Sequence, residues 1–140
     1  MEKYKKCIKD IISISESKPQ EESCGFIVLT KSGPFSIETR NRAPSKEKKF
    51  SISPLDFVKA KKKCHSIISI FHSHSLGDEN PSELDLRMTE ELRIPFVIYS
   101  LITKKTRLIS PKGMQSKNLH LRRLHQAIKK CNNNFKEHVE

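Results

Sequence analysis

Several features that define other classes of protein are missing from this sequence. No apolar run among the 140 residues approaches the ~20 residues that a membrane-spanning helix needs. The first nine residues are charged and polar, unlike a secretory signal peptide. No C-x-x-C pair occurs among the four scattered cysteines, which argues against a disulfide scaffold: Cys7, Cys24, Cys64 and Cys131. We therefore expect free thiols and a soluble, cytoplasmic protein with no membrane contact.

Acidic residues are the minority among the charged side chains. There are 16 Asp and Glu against 27 Lys and Arg, which gives a net charge of +11. Such an excess permits an acidic partner, including nucleic acid. However, the basic run at 59–63 contains no aromatic residue, and no nucleic-acid-binding module is recognisable. We interpret the charge as a solvated, lysine-rich surface and do not expect a nucleic-acid partner.

The apolar pattern predicts one domain of the α/β (α+β) class, with a mixed β-sheet flanked by helices. Short apolar runs bounded by turn residues predict strands at 24–30, 35–41, 50–52, 66–72, 95–102 and 106–110. Helical spacing and capping residues predict helices at 3–15, 54–63, 82–92 and from about 116 onward.

The C-terminal segment predicts an added amphipathic helix, so we divide the chain at 1–115 and 116–140. One stripe of this helix is apolar: Leu121, Leu124, Ile128, Cys131 and Phe135. The three asparagines at 132–134 are expected to fray or end it. The stripe either packs on the parent domain, or docks on a partner or forms a homodimer seam.

The segment from His72 to Asp85 is the most informative for chemistry. His72 and His74 lie two residues apart at the end of a predicted strand, so both imidazoles face the same side. Asp85 falls in the first turn of the next predicted helix. Two histidines and one carboxylate form a common catalytic zinc set with the fourth position left for water. Cys64 is a poor fourth ligand because it lies at the far end of the same strand.

A simpler interpretation exists for part of this pattern. Ser82 and Asp85 fit the S-x-x-[DE] capping signature, which needs no metal. A hydrolytic site also needs a base, and Glu21 and Glu22, just before the strand at 24–30, are both candidates. Either carboxylate reaches the histidines only if that strand lies beside the strand at 66–72.

The complete motif resembles that of the JAMM (MPN+) metalloproteases. The family motif is H-[ST]-H-x7-S-x2-D. This chain matches it with His72-Ser73-His74, then Ser82 after seven residues, then Asp85 after two more. The segment at 22–26 resembles the E-x-C-G-[LFI] segment that carries the family's catalytic glutamate, which selects Glu22. Weaker similarity at 41–44, 50–54 and 94–100 extends the match over about 18–110.

The resemblance implies a role for each matching residue and a JAMM/cytidine-deaminase-like fold. His72, His74 and Asp85 would hold Zn²⁺, with water as the fourth ligand. Glu22 would activate the water and later protonate the leaving amine. Ser82 would stabilise the oxyanion while also capping its helix. The resemblance also selects zinc over iron or cobalt. The donor set alone does not, because it suits several metals.

The resemblance implies hydrolysis of an amide or isopeptide bond in a protein substrate. That substrate would carry a ubiquitin-like or sulfur-carrier-like tail, or be a phage structural protein. The short spacings leave little room for the insertions of eukaryotic members, so the chain is more similar to short prokaryotic and phage-type members. The alternative is a phage tail or other assembly module with a vestigial or accessory metal site, located in the virion tail. Ser75 replaces a proline common in the family, and we expect a looser loop at 75–81.

Overall fold

The computed structural model describes residues 1–64, 66–114 and 118–139, with the side chains of the last helix described as far as Asn133. In chain order the elements are α1 (Glu2–Ser17), β1 (Cys24–Thr30), β2 (Gly33–Thr39), α2 (Pro54–Lys63), β3 (Ser66–His74), α3 (Glu83–Leu92), β4 (Phe96–Ser100), β5 (Thr106–Ile109) and α4 (Leu119–Val139). The strands form one sheet in the order β2-β1-β3-β4-β5. β3 and β4 pair in parallel, whereas the other neighbouring strands pair antiparallel, which confirms the predicted α+β domain with a mixed sheet.

Helices cover both faces of the sheet, and each face has its own apolar core. Residues of α1 and α4 pack on one face, against Ile27, Phe71 and Val97. Residues of α2 and α3 pack on the other, against Phe26, Ile70 and Ile98. Because successive strand residues point to opposite faces, His72 and His74 share the second face with Ile70. In the described parts of the chain, no helix has the length and apolar character needed to cross a membrane.

Gly25 allows β1 to lie tightly between its neighbours. It pairs with Glu38 of β2 on one side and Phe71 of β3 on the other. A Cβ atom at Gly25 would overlap the Ile37 carbonyl oxygen and the Phe71 ring. The missing side chain therefore permits the close approach that sets β1 beside the end of β3.

The predicted strand at 50–52 is wrong, and the other predicted elements match those observed to within a few residues at their ends. Residues Phe50–Ile52 join no strand of the sheet. The backbone N–H of Ser51 instead donates to Oδ1 of Asn41 at 3.1 Å, and its carbonyl accepts from Arg42 at 2.9 Å. The backbone polar groups of Ser51 are therefore hydrogen-bonded by a side chain and a loop residue instead of by a neighbouring strand.

The C-terminal helix packs on its own domain. Among the described side chains of α4, four apolar ones are buried against α1 and the sheet: Leu121, Leu124, Ala127 and Ile128. The asparagines do not end the helix, which continues to Val139. Asn132 instead exchanges two hydrogen bonds with the backbone of Thr106, at 2.9 and 3.0 Å. The predicted start at Ser116 and the side chain of Phe135 lie outside the described residues, and the division at 115/116 stays a prediction.

Candidate metal centre

The fold brings His72, His74 and Asp85 together where β3 ends and α3 begins. One donor atom from each lies within 4.8 Å of the other two. Nε2 of His72 is 3.0 Å from Oδ1 of Asp85, and Nε2 of His74 is 3.1 Å from Oδ2 of the same carboxylate. Asp85 thus spans both imidazoles, although it comes from a different element.

The imidazole of His72 is buried and fixed by aromatic neighbours. It is 1% exposed and stacks on Phe50 with ring centroids 4.2 Å apart, while Phe96 meets it edge-on at 5.7 Å. Among the described residues neither ring nitrogen has a hydrogen-bond partner, although Oδ1 of Asp85 lies 3.0 Å from Nε2. A buried nitrogen with no hydrogen bond is costly unless another partner, such as a metal ion, takes its lone pair.

His74 is oriented by a backbone carbonyl. Its Nδ1 lies 2.7 Å from the carbonyl oxygen of Asp78. Because a carbonyl can only accept, Nδ1 carries a proton and Nε2 points towards Asp85. This is the usual outer contact of a metal-binding histidine, in which one nitrogen is tied to an acceptor and the other is left for the metal.

Asp85 and Ser82 form a reciprocal cap at the start of α3. The Asp85 N–H donates to Oγ of Ser82 at 3.1 Å, and the Ser82 N–H donates to Oδ2 of Asp85 at 3.0 Å. The capping interpretation of this motif is therefore correct, and it does not compete with the metal interpretation. The cap fixes the carboxylate that faces both histidines.

Glu22 lies beside His72 because β1 and β3 are neighbours. Cys24 pairs with His72 in the antiparallel ladder, so Glu22, two residues earlier, falls on the same face near the end of β3. Its Oε1 is 3.6 Å from Nδ1 of His72, and Glu22 is 6% exposed. The start of β1 is held beside β3 by Ser23 and Ser73, which exchange two hydrogen bonds at 2.8 and 2.9 Å.

The electrostatics of the cluster favour a cation. Burial alone would lower the pKa of His72, but the carboxylates of Asp85 and Glu22 outweigh it and raise the pKa to about 9. The pKa of His74 is also raised, because Asp85 outweighs the effect of burial. Burial would raise the pKa of Asp85, but the two nearby imidazoles and a hydrogen bond from the Ser82 N–H hold it well below its usual range. In the absence of metal, these shifts favour the protonated form of both imidazoles beside the Asp85 carboxylate.

The site opens to solvent through a depression of about 350 Å³. Its lining comes from three segments: Glu22, Glu47, Lys48, His74, Leu76, Gly77, Asp78, Asn80 and Ser82. The hydroxyl of Ser75 donates to the Glu47 carbonyl at 2.6 Å, and the Ser100 hydroxyl donates to the Gly77 carbonyl at 2.6 Å. The loop at 75–81, which we expected to be loose, is thus tied at both of these points.

The donor set fits a metal such as zinc. Four ligands placed tetrahedrally at zinc–ligand distances of 2.0–2.1 Å lie about 3.3 Å from one another. The observed 3.0 and 3.1 Å separations are close to this spacing. Two imidazole nitrogens and a carboxylate leave room for a further ligand. Cys64 is not part of this donor group.

Two residues orient the site for which the sequence predicted no role. Phe50 stacks on His72, and Asn41 holds the loop that carries Phe50. Both fall in segments with weak family similarity, which was the only signal available. Neither contact could be derived from spacing, because both cross from a loop to a strand.

Sequence comparison relates this chain to a phage protein at low identity. Over 108 residues it is 27% identical to the tail tip assembly protein K of Escherichia phage N15, covering 77% of this chain and 44% of that protein. The chain thus spans less than half of that relative's length.

One solved structure shows the same fold, and a second is similar at a lower score. The solution structure of a protein from Desulfitobacterium hafniense has a TM-score of 0.60 at 21% identity, covering 74% of this chain and 77% of that one. A crystal structure of a JAB1/MPN domain protein from Archaeoglobus fulgidus has a TM-score of 0.49 at 17% identity, covering 78% and 88%. The model of the prokaryotic homologs of the JAB domain matches residues 5–116. Because this match covers most of the chain, the protein belongs to the prokaryotic JAB-domain family.

Proposed function

We propose that this protein is a zinc-dependent hydrolase of amide or isopeptide bonds, with His72, His74 and Asp85 as ligands and Glu22 as the general acid and base. The observation that carries the proposal is the buried His72 ring. Neither of its nitrogens has a hydrogen-bond partner in the described part of the chain, while Asp85 and Glu22 lie 3.0 and 3.6 Å away. A purely structural histidine in this position would leave two buried polar atoms unsatisfied.

Zinc held by these three ligands would supply Lewis acidity, which depresses the pKa of water towards neutrality. Glu22 takes the proton from the attacking water onto its carboxylate. The water oxygen bonds to the substrate carbonyl carbon, and the carbon–nitrogen bond then breaks. Glu22 returns the proton to the departing nitrogen, so the amine leaves neutral and the carboxylate is regenerated.

Ser82 is suited to stabilise the charge that develops on the substrate oxygen. Its Oγ accepts from the Asp85 N–H at 3.1 Å, which leaves its own hydrogen free to donate. Ser82 also lines the open depression beside His74. A donor fixed by a helix cap reorganises little when the oxyanion forms.

The substrate we propose is a protein, either one with a ubiquitin-like or sulfur-carrier-like tail or a phage structural protein. The depression is open to solvent, which suits an extended chain better than an enclosed small molecule. The similarity to a phage tail tip assembly protein supports the phage alternative.

The deciding experiment compares wild type with Glu22→Gln and Glu21→Gln. The probe is a ubiquitin-like protein joined through its C-terminal amide to a coumarin fluorophore. We expect Glu22→Gln to keep one zinc per chain and to lose hydrolysis by about 10²–10⁴-fold. Glu21→Gln is the matched control and should retain activity. Full activity in Glu22→Gln would contradict the assigned mechanism.

A second candidate function is an assembly role in a phage tail tip, favoured by the same relative. Deleting α4 would not test it, because Leu121 and Leu124 are part of the core. Charge reversal at exposed positions of α4, such as Arg122→Glu with Lys129→Glu, preserves the core. Loss of binding to purified tail proteins in this variant, with binding retained in Glu22→Gln, would favour assembly over hydrolysis.

A further inference from the structure

Asn41 joins the two segments that approach the candidate site from the β1 side. Its side chain is 3% exposed and makes four hydrogen bonds to backbone groups. Nδ2 donates to the carbonyls of Glu22 at 2.8 Å and Lys49 at 2.9 Å. Oδ1 accepts from the N–H groups of Ala43 at 2.9 Å and Ser51 at 3.1 Å. Both donor hydrogens and both acceptor lone pairs of the amide are thereby used.

One side of this arrangement fixes Glu22. Its carbonyl is held by Asn41, and its N–H donates to the carbonyl of Lys46 at 2.7 Å. Both backbone polar groups of Glu22 are therefore held by the segment at 41–46. A shift of this segment would move the Glu22 carboxylate relative to His72.

The other side fixes Phe50. The Asn41 side chain binds the two residues that flank it, through the carbonyl of Lys49 and the N–H of Ser51. Phe50 is the aromatic ring that stacks on His72. Asn41 thus controls the surface against which the imidazole lies.

We infer that Asn41 is a positioning residue, which sets the carboxylate of Glu22 and the ring of His72 together. Its importance for hydrolysis rests on the proposed function, whereas its effect on the His72 ring does not. Aspartate has nearly the same shape as asparagine, but its carboxylate has no donor hydrogens. In Asn41→Asp a carboxylate oxygen would therefore lie against the carbonyl oxygens of Glu22 and Lys49. Buried groups left without partners in this way are expensive, and the loop must shift to relieve them.

The test observes the His72 ring directly in metal-free protein by proton–carbon NMR. A stacked phenyl ring shifts the imidazole proton resonances, and Phe50→Ala defines their unstacked position. We expect Asn41→Asp and Asn41→Ser to move these resonances towards those of Phe50→Ala. Asn133→Asp, on the exposed face of α4, is the matched control and should leave them unchanged.

Zinc affinity and hydrolysis provide separate measurements on the same variants. Loss of an outer contact of this kind lowers metal affinity or activity by about 10–100-fold. We expect zinc to bind more weakly to both Asn41 variants, and kcat rather than KM to fall wherever hydrolysis is detected.

Folded Asn41 variants with wild-type His72 resonances and wild-type zinc affinity would overturn the inference. If circular dichroism shows that neither variant folds, Asn41 is a folding determinant and the positioning role is likewise rejected. If wild type binds no zinc, the proposed function fails, but the NMR comparison still decides the role of Asn41.

Discussion

Oδ2 of Asp85 lies 3.1 Å from Nε2 of His74, although the two residues belong to different secondary-structure elements. The turn between them is held by side-chain hydrogen bonds, and the capping box fixes Asp85 at the start of α3. This contact joins the strand that carries two nitrogen donors to the helix that carries the carboxylate.

We expect His74→Ala to lose the metal. Removing one of three protein ligands leaves a donor set too small for stable zinc binding. Mass spectrometry of purified proteins should find about one zinc per wild-type chain and little in the variant. His125→Ala, at an exposed position of α4, is the matched control. Equal zinc in all three proteins would place the metal elsewhere.

The stability of the metal-free protein should fall as the pH rises from 6.5 to about 9. The pKa of His72 is raised from 6.5 to about 9 because its carboxylate partners outweigh the effect of burial. A raised pKa means that the folded state binds the proton more tightly than the unfolded state does. The stabilisation is therefore complete below pH 6.5 and is lost as the pH rises through about 9.

Thermal melts in the presence of a chelator would check this pH dependence. Asp85→Asn removes the nearer of the two carboxylate partners of His72 and should flatten the profile. Zinc affinity should change in the opposite direction and rise with pH, because the metal must displace these protons. A metal-free protein that becomes more stable between these pH values would refute the assignment.

Ser82→Ala should affect both stability and hydrolysis. The variant loses the N-cap of α3, which costs about 0.5–2 kcal/mol. It also loses the proposed oxyanion donor, which lowers kcat by about 10²–10³-fold. Ser53 caps α2 through the N–H of Leu55, so Ser53→Ala is a matched control that loses only a cap. Equal hydrolysis by the two variants would limit Ser82 to capping.

Gly25→Ala should destabilise the fold. The added methyl group would overlap the Ile37 carbonyl and the Phe71 ring, and overpacking of this kind costs about 1–3 kcal/mol. Gly77→Ala is the control, because a methyl group added there would meet no atom within 4 Å other than those of Gly77 and its two chain neighbours. We expect that control to change the free energy of unfolding by less than about 0.5 kcal/mol in urea titrations. Similar midpoints for both variants would show that β1 can move away from β3.

The sequence by itself determined the parts of this protein that depend on local periodicity. The His-x-His spacing placed both imidazoles on one face of a strand, and Ser82 with Asp85 marked the start of a helix. The amphipathic stripe of α4 also followed from the sequence, although the face that buries it did not.

Only the tertiary structure decided how distant segments meet. The β1–β3 register brings Glu22 within 3.6 Å of His72, across fifty positions of sequence, and no local pattern specifies which strands pair. The segment at 50–52 was expected to form a strand, but Asn41 satisfies its backbone and turns Phe50 onto His72. Strand propensity describes an extended backbone, whereas the partner of that backbone depends on long-range packing.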